Sequence, residues 1–170
     1  MIERTHQKGD AASRAVYSPC MAYRFALERV WTAGAPAILF VALNPSTATE
    51  TENDQTVERC ERRARAMGYG GFAVANIFAL RATDPRDMRA HPEPVGDGND
   101  AAILRAAGRA QRIIACWGAH GAHLGRGAAV ARLLRAAGHT LWHLGLTQAG
   151  APRHPLYLPY SRPPEPWEAA

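Results

Sequence analysis

The sequence predicts a single α/β domain, a three-layer sandwich in which a four-stranded, mostly parallel sheet is covered by helices on both faces. Short apolar runs bounded by turn residues alternate along the chain with segments of helical periodicity. The 170 residues are 47% hydrophobic, and no charge-rich or low-complexity half divides them. The apolar run 37–43 ends abruptly at Asn44-Pro45-Ser46. Because ligands bind at the carboxyl ends of parallel strands, Asn44 lies where chemistry is expected.

The first part of the chain carries the weakest pattern. Residues 1–18 are polar and unpatterned, which predicts an irregular N-terminal arm ahead of a single α/β domain spanning residues 19–170. Tyr23, Leu27 and Val30 recur at helical spacing. This spacing predicts an amphipathic helix before the first strand.

From there the predicted elements alternate between strand and helix. Residues 81–99 are predicted to form a long functional loop, because loops of that length are seldom idle in compact domains. The last 26 residues hold six prolines and predict an extended tail with at most one turn. The predicted strands are 37–43, 71–78, 112–117 and 139–144, and the predicted helices are 56–67, 100–109 and 124–137.

The composition excludes several classes of protein. The net charge is +5, and Lys8 is the only lysine. Arginine suits bidentate phosphate contact, but a compositional preference for arginine explains the charge equally well. Three widely spaced cysteines argue for reduced thiols in a cytoplasmic protein, without a disulfide framework. No apolar run approaches the ~18 residues of a membrane helix. We therefore expect a cytoplasmic monomer with no membrane partner.

Two asparagines follow or interrupt apolar runs. Asn44 can cap the next turn, which is the commoner use of such a residue, or hold a ligand or a water molecule. Asn76 lies inside the run 71–78, where a buried amide costs ~1–3 kcal/mol unless its hydrogen bonds are made. An amide also pairs well with the edge of a nucleobase.

Other polar residues have both structural and functional interpretations. His154 precedes Pro155 on a rigid extended segment, although a lone histidine near a C-terminus usually decorates the surface. Asp54 and Asp84 are helix caps or bases. The histidines of 120–143 have no carboxylate or cysteine nearby to complete a ligand set, so no metal site is expected. A glycine-rich phosphate loop is absent as well, because the GYGG run precedes a strand.

Four motifs carry a resemblance to known families. The segments ALNPSTAT with NDQT, NIFALRATDP, ACWGAHG and GAPRHPLYL resemble the DUF1643 family of small bacterial domains of unknown function, across residues 17–160. In the same order, these pieces are similar to those of the uracil-DNA glycosylase superfamily. The matching positions are Asn44-Pro45 after the first strand, Asn76 and Arg81-Ala82 around the second, Trp117-Gly118 after the third, and His154-Pro155 with Leu158 after the fourth.

This second resemblance implies a uracil-DNA glycosylase-like fold and an enzyme that hydrolyses the N-glycosidic bond of uracil or a related deaminated base in DNA, without a metal or other cofactor. Asn44 would position the water and His154 would donate to the leaving base, with Asp54 as a possible aid to the water. Asn76 would bind the base edge, and Leu158 would act as a wedge. The remaining implied contacts are Pro45 and Ser46 at the base, and Arg81, Arg153 and Arg162 on the DNA.

Departures from the superfamily pattern keep other functions open. Ser46 replaces a tyrosine that excludes thymine, and Leu156 and Tyr157 replace a serine and a proline that grip the DNA backbone. Tyr23 and Tyr69 are only candidates for the aromatic that stacks on the base. A non-catalytic nucleic-acid or nucleotide-binding module, or an enzyme acting on free nucleotides or nucleosides, remains an alternative.

Overall fold

One mixed sheet runs through the computed structural model, which describes residues 1–168. Its strand order is β1-β2-β3-β5-β4-β6-β7-β8. The predicted α/β class is confirmed, but the sheet has eight strands and is mostly antiparallel, where the sequence predicts four mostly parallel strands. The strands are β1 Ile2–Lys8, β2 Ala11–Tyr17, β3 Arg24–Val30, β4 Ala37–Ala42, β5 Gly71–Asn76, β6 Arg112–Ala115, β7 Leu141–His143 and β8 Glu165–Pro166. The helices are α1 Gln55–Ala66, α2 Pro85–Ala90, α3 Asn99–Gly108 and α4 Arg126–Ala136.

The centre of the sheet consists of the four strands that the sequence predicts. The pairings among β5, β4, β6 and β7 are parallel, and the other four pairings are antiparallel. Leu39 and Val41 pack on the side of α3 and α4, whereas Ile38 and Phe40 pack on the side of α1. Burial on both faces explains why β4 is a continuous apolar run. The carboxyl ends of the parallel strands therefore meet at one edge of the sheet.

The N-terminal 17 residues correct the predicted irregular arm, because they form a β-hairpin. Strands β1 and β2 pair with Lys8 opposite Ala11, so Gly9 and Asp10 make a two-residue turn. Gly9 has φ +59°, which suits the tight hairpin turn. β1 is an edge strand that is exposed almost throughout, so its sequence shows no alternation of apolar and polar residues.

Strand β3 corrects the predicted helix around Tyr23, Leu27 and Val30. Arg24 and Arg29 point into the protein and are 2% and 0% exposed. They occupy inward positions of a strand that also buries Leu27. Two buried arginines therefore hide the alternation typical of a strand, and pairing with β2 and β5 overrides the helical spacing.

Two proline-containing segments are more structured than the sequence predicts. The 81–99 segment contains α2, whose N-terminus is capped by Asp84 accepting from the Arg86 N–H. The C-terminal segment contains one helical turn, Pro155–Tyr157, and the two-residue strand β8, which pairs with β7. Within residues 1–168, none of the helices has the length and apolar character that crossing a membrane requires.

Candidate functional site

An open cleft of about 750 Å³ lies at the carboxyl edge of the parallel strands. Four segments line it: the loop after β4, the N-terminus of α1, the segment after β6 and the C-terminal segment around His154. The loop before α2 closes a further side. Lining residues with polar or aromatic side chains are Asn44, Ser46, Thr47, Asn53, Asp54, Gln55, Thr56, Thr83, Trp117, His120, His154 and Tyr157.

Asn44 presents an acceptor to this cleft. Its Nδ2 donates to the carbonyl oxygens of Pro45 at 3.1 Å and Ala82 at 2.7 Å. Both partners are carbonyls, so the amide orientation is fixed, with Nδ2 as the donor end. Oδ1 has no protein donor among residues 1–168 and is available to accept from a water molecule. Ser46 lies beside it, and its Oγ donates to Thr83 Oγ1 at 3.3 Å.

Asp54 is the N-cap of α1 and also lines the cleft. Its Oδ1 accepts from the Val57 N–H at 2.9 Å, and its Oδ2 accepts from the Ala48 N–H at 3.2 Å. The predicted capping role is therefore confirmed. Each carboxylate oxygen has further lone pairs, so capping leaves Asp54 able to accept from a ligand or water.

His154 is half-buried at the start of the turn Pro155–Tyr157. Its Nδ1 accepts from the Leu156 N–H at 3.3 Å, so in the neutral ring the proton is on Nε2. Burial lowers the pKa of His154 below its ordinary value of 6.5, and the nearby Asp54 opposes that shift. At neutral pH the ring is therefore an uncharged Nε2–H donor.

Two arginines from β3 hold the loop that joins Asn44 to Asp54. Arg24 Nη1 donates to the Ala48 carbonyl at 2.8 Å, and Arg29 Nη2 donates to the Thr49 carbonyl at 2.7 Å. Burial lowers the pKa of Arg24 to about 10, so this guanidinium stays charged at neutral pH. The loop after β4 is thus packed onto the antiparallel part of the sheet.

Asn76 does not line the cleft. It is 3% exposed, and its Oδ1 accepts from Arg24 Nη2 at 3.4 Å. It lies opposite Ala42 at the end of β5, beneath the loop held by Arg24. Base binding by Asn76 therefore stays a prediction. The side chain of Asn76 accepts a hydrogen bond from Arg24 inside the protein.

The predicted wedge, Leu158, is in the core. It is 5% exposed and packs in the cluster on the α1 side of the sheet. A wedge must reach the DNA, so the buried position disagrees with that interpretation. Tyr157, the preceding residue, is 90% exposed and lines the cleft. Sequence reasoning treated it only as a departure from a motif.

The candidate stacking tyrosines lie elsewhere. Tyr23 donates its hydroxyl to the Glu93 carbonyl, and Tyr69 accepts from Trp31 Nε1 through its own carbonyl. Neither residue lines the cleft. Trp117 and Tyr157 do, and the position of the Trp-Gly motif directly after a strand is the signal that identifies Trp117.

The arginines predicted to contact DNA fall into two groups. Arg153 and Arg162 are both exposed, and both side chains lie beside Gly145. A Cβ built on that glycine would lie 3.1 Å from Arg162 Cζ and 3.2 Å from Arg153 Cδ. Neither forms an ion pair with a carboxylate in residues 1–168. Arg81 donates to the Met21 carbonyl and lies over the Tyr17 ring. None of the three arginines is among the residues that line the cleft.

Within residues 1–168, no three His, Cys, Asp or Glu side chains form a group suited to a metal ion.

A model of the family described as "Protein of unknown function (DUF1643)" matches residues 24–156. Searches among curated proteins and among solved structures found no match.

Proposed function

The chain belongs to the DUF1643 family, whose description names no activity, and we propose from the cleft that it is a DNA glycosylase acting on uracil or a related deaminated base. One observation carries this proposal. A fixed acceptor on Asn44 and a carboxylate on Asp54, at the two ends of the loop after β4, line one cleft with an uncharged donor on His154 of the C-terminal segment. These are the groups that hydrolysis of an N-glycosidic bond requires.

Asn44 and Asp54 act on the water in this mechanism. The water donates to Asn44 Oδ1, and its oxygen attacks C1′ of the deoxyribose as the bond from C1′ to the base nitrogen breaks. An amide orients water but is a poor base. Asp54 therefore accepts the proton of the water, and its negative charge also favours the cationic sugar.

His154 acts on the leaving base. The base departs with the electron pair of the broken bond, and the His154 Nε2–H donates to the oxygen on which negative charge develops. The proton taken by Asp54 then returns to the base, which leaves as a neutral molecule. No cofactor is required.

Two arginines outside the cleft lining would hold the DNA. Arg153 and Arg162 have no carboxylate partner in residues 1–168 and flank the segment that carries His154. Arginine forks match phosphate geometry, so this pair would contact the DNA backbone. Ser46 and Pro45 would lie at the base, and the small Ser46 side chain would admit bases larger than uracil.

The test uses labelled oligonucleotides that carry one uracil, hypoxanthine or xanthine, followed by alkaline cleavage of abasic sites. We expect product from at least one base at enzyme excess. Asn44→Ala and His154→Ala should each lower the single-turnover rate by about 10²–10³-fold, the loss typical of one positioned polar group. His6→Ala, on the exposed edge strand β1, is the matched control and should retain the full rate.

The outcomes separate the proposal from its alternatives. Absence of abasic product from every oligonucleotide overturns the glycosylase activity, and DNA binding without product would favour the non-catalytic module. Product that persists in both alanine variants would show that the chemistry occurs elsewhere.

A further inference from the structure

The segment after His154 contains a side chain that is locked in the core. Leu158 packs in the cluster on the α1 side of the sheet, and its N–H donates to the Pro155 carbonyl at 3.3 Å. Its carbonyl accepts from Arg63 at 3.0 Å and from Arg59. Turning Leu158 outward would expose a buried leucine to water and break these hydrogen bonds, and both changes are unfavourable.

Extracting a base from an intact duplex requires new contacts that compensate for the lost pairing and stacking. Proteins that open base steps commonly insert an exposed apolar side chain. Leu156 is half-buried and Leu158 is buried, so neither aliphatic side chain of this segment projects freely.

Tyr157 presents a different kind of surface. It is 90% exposed at the cleft, within the turn whose Leu156 N–H donates to His154 Nδ1. Arg59 also donates to the Pro155 carbonyl at 3.0 Å, which ties the start of the turn to α1. A rigid backbone therefore carries an aromatic ring in solvent beside His154.

Aromatic rings beside unpaired arginines are typical of proteins that bind single-stranded nucleic acid, where bases stack on the rings and arginines follow the backbone. Arg153, next to His154, and Arg162, five residues after Tyr157, supply that charge on the same C-terminal segment, outside the cleft lining. We propose that the cleft accepts an unpaired base from single-stranded DNA, with a neighbouring base stacked on Tyr157. This inference rests on the proposed function and names its substrate class.

The first arm of the experiment measures binding without catalysis. Fluorescence anisotropy compares a single-stranded oligonucleotide without a deaminated base with its duplex at the same salt concentration. A length of about 20 nucleotides is chosen because it exceeds the ~4–16-nucleotide site of single OB folds. We expect at least about tenfold tighter binding of the single strand. Tyr157→Ala should weaken single-strand binding about 5- to 100-fold, and Tyr157→Phe should preserve it.

Leu124→Ala is the matched control, because Leu124 is also a large exposed apolar residue but lies outside the cleft lining. It should leave single-strand binding unchanged. The inference is overturned if the duplex binds as tightly as the single strand. It is also overturned if Tyr157→Ala weakens duplex binding as much as single-strand binding, which would make Tyr157 a wedge.

The second arm measures excision of the same base from a single strand, from a duplex and opposite a mismatch. We expect rates to fall from the single strand through the mismatch to the matched duplex. Equal rates on single strand and matched duplex contradict the inference while supporting the glycosylase. If no oligonucleotide yields abasic sites but Tyr157-dependent single-strand binding persists, the glycosylase proposal fails and the binding preference stands.

Discussion

Two irregular segments border the cleft, and arginines hold both of them by their backbone carbonyls. Arg24 and Arg29 of β3 hold the loop that precedes Asp54, whereas Arg59 and Arg63 of α1 hold the segment that follows His154. The first pair is buried inside the sheet layer, where Arg29 is fully buried. In the second pair Arg63 is also buried, at 3% exposed, but Arg59 is half-exposed, and the ring of Tyr160 lies 4.5 Å from its guanidinium carbon. One loop is thus held by two buried arginines of a strand, and the other segment is held by one buried and one half-exposed arginine of a helix.

This comparison gives the arginine-rich composition a structural role. Loop carbonyls have no partners in a helix or sheet, and a proline-rich segment also lacks N–H donors. One guanidinium has five N–H donors and satisfies several carbonyls at once. Arg63, for example, donates to the carbonyls of Leu158 and Pro159 at 3.0 and 2.9 Å. Part of the positive charge therefore serves the fold, and Arg153 and Arg162 remain for an anionic partner.

The largest effect is expected at the buried pair. Arg29→Met removes the guanidinium that donates to Ser13 Oγ at 2.7 Å, to the Thr49 carbonyl and to Asn53 Oδ1 at 3.0 Å. Leaving these acceptors unpaired should lower the free energy of unfolding by about 3 kcal/mol, measured by urea denaturation. Arg132→Met, on the exposed face of α4, is the control and should change it by less than about 0.5 kcal/mol. Similar losses in both variants would contradict the core role of Arg29.

A smaller and local effect is expected at the helix pair. Arg63→Met should lower the global free energy of unfolding by about 1–2 kcal/mol, because fewer acceptors are left unpaired: Arg59 still donates to the Leu158 carbonyl. Amide hydrogen exchange at Leu156, Leu158 and Arg162 should accelerate more than exchange in β4. If all amides accelerate equally, the C-terminal segment unfolds only with the core, and the distinction between the two arginine pairs is lost.

Buried arginines also explain which parts of the fold the sequence predicts. The parallel strands are continuous apolar runs bounded by turn residues, so these runs identify them in the sequence. Strand β3 is not recognisable in this way, because Arg24 and Arg29 occupy inward positions that hydrophobic patterning treats as exposed. Strand β1 is exposed almost throughout and has no pattern to detect.

The cleft was partly predictable for a related reason. Asn44 is recognisable because it precedes Pro45 where an apolar strand ends. His154 is recognisable because it precedes Pro155 on an extended segment. The burial of Leu158 depends on Arg59 and Arg63, almost a hundred residues away in the chain. Such a contact has no local signature, so the superfamily resemblance implies an exposed Leu158 and overlooks Tyr157.

The smallest expected effect is the pH dependence contributed by His154. Burial lowers the pKa of the folded-state imidazole below 6.5, its ordinary value, so the unfolded chain binds the proton more tightly than the folded chain. The resulting stability is fully present above about pH 6.5 and is lost as the pH falls from there through the lower folded-state pKa.

His154→Asn keeps an acceptor for the Leu156 N–H but cannot titrate in this range. Urea denaturation at several pH values between about 7.5 and 5 should therefore give a steeper loss for the unsubstituted protein than for His154→Asn. Identical pH slopes would mean that His154 titrates in the folded protein as it does in water. The ring would then be mobile, although the turn beside it is fastened to α1.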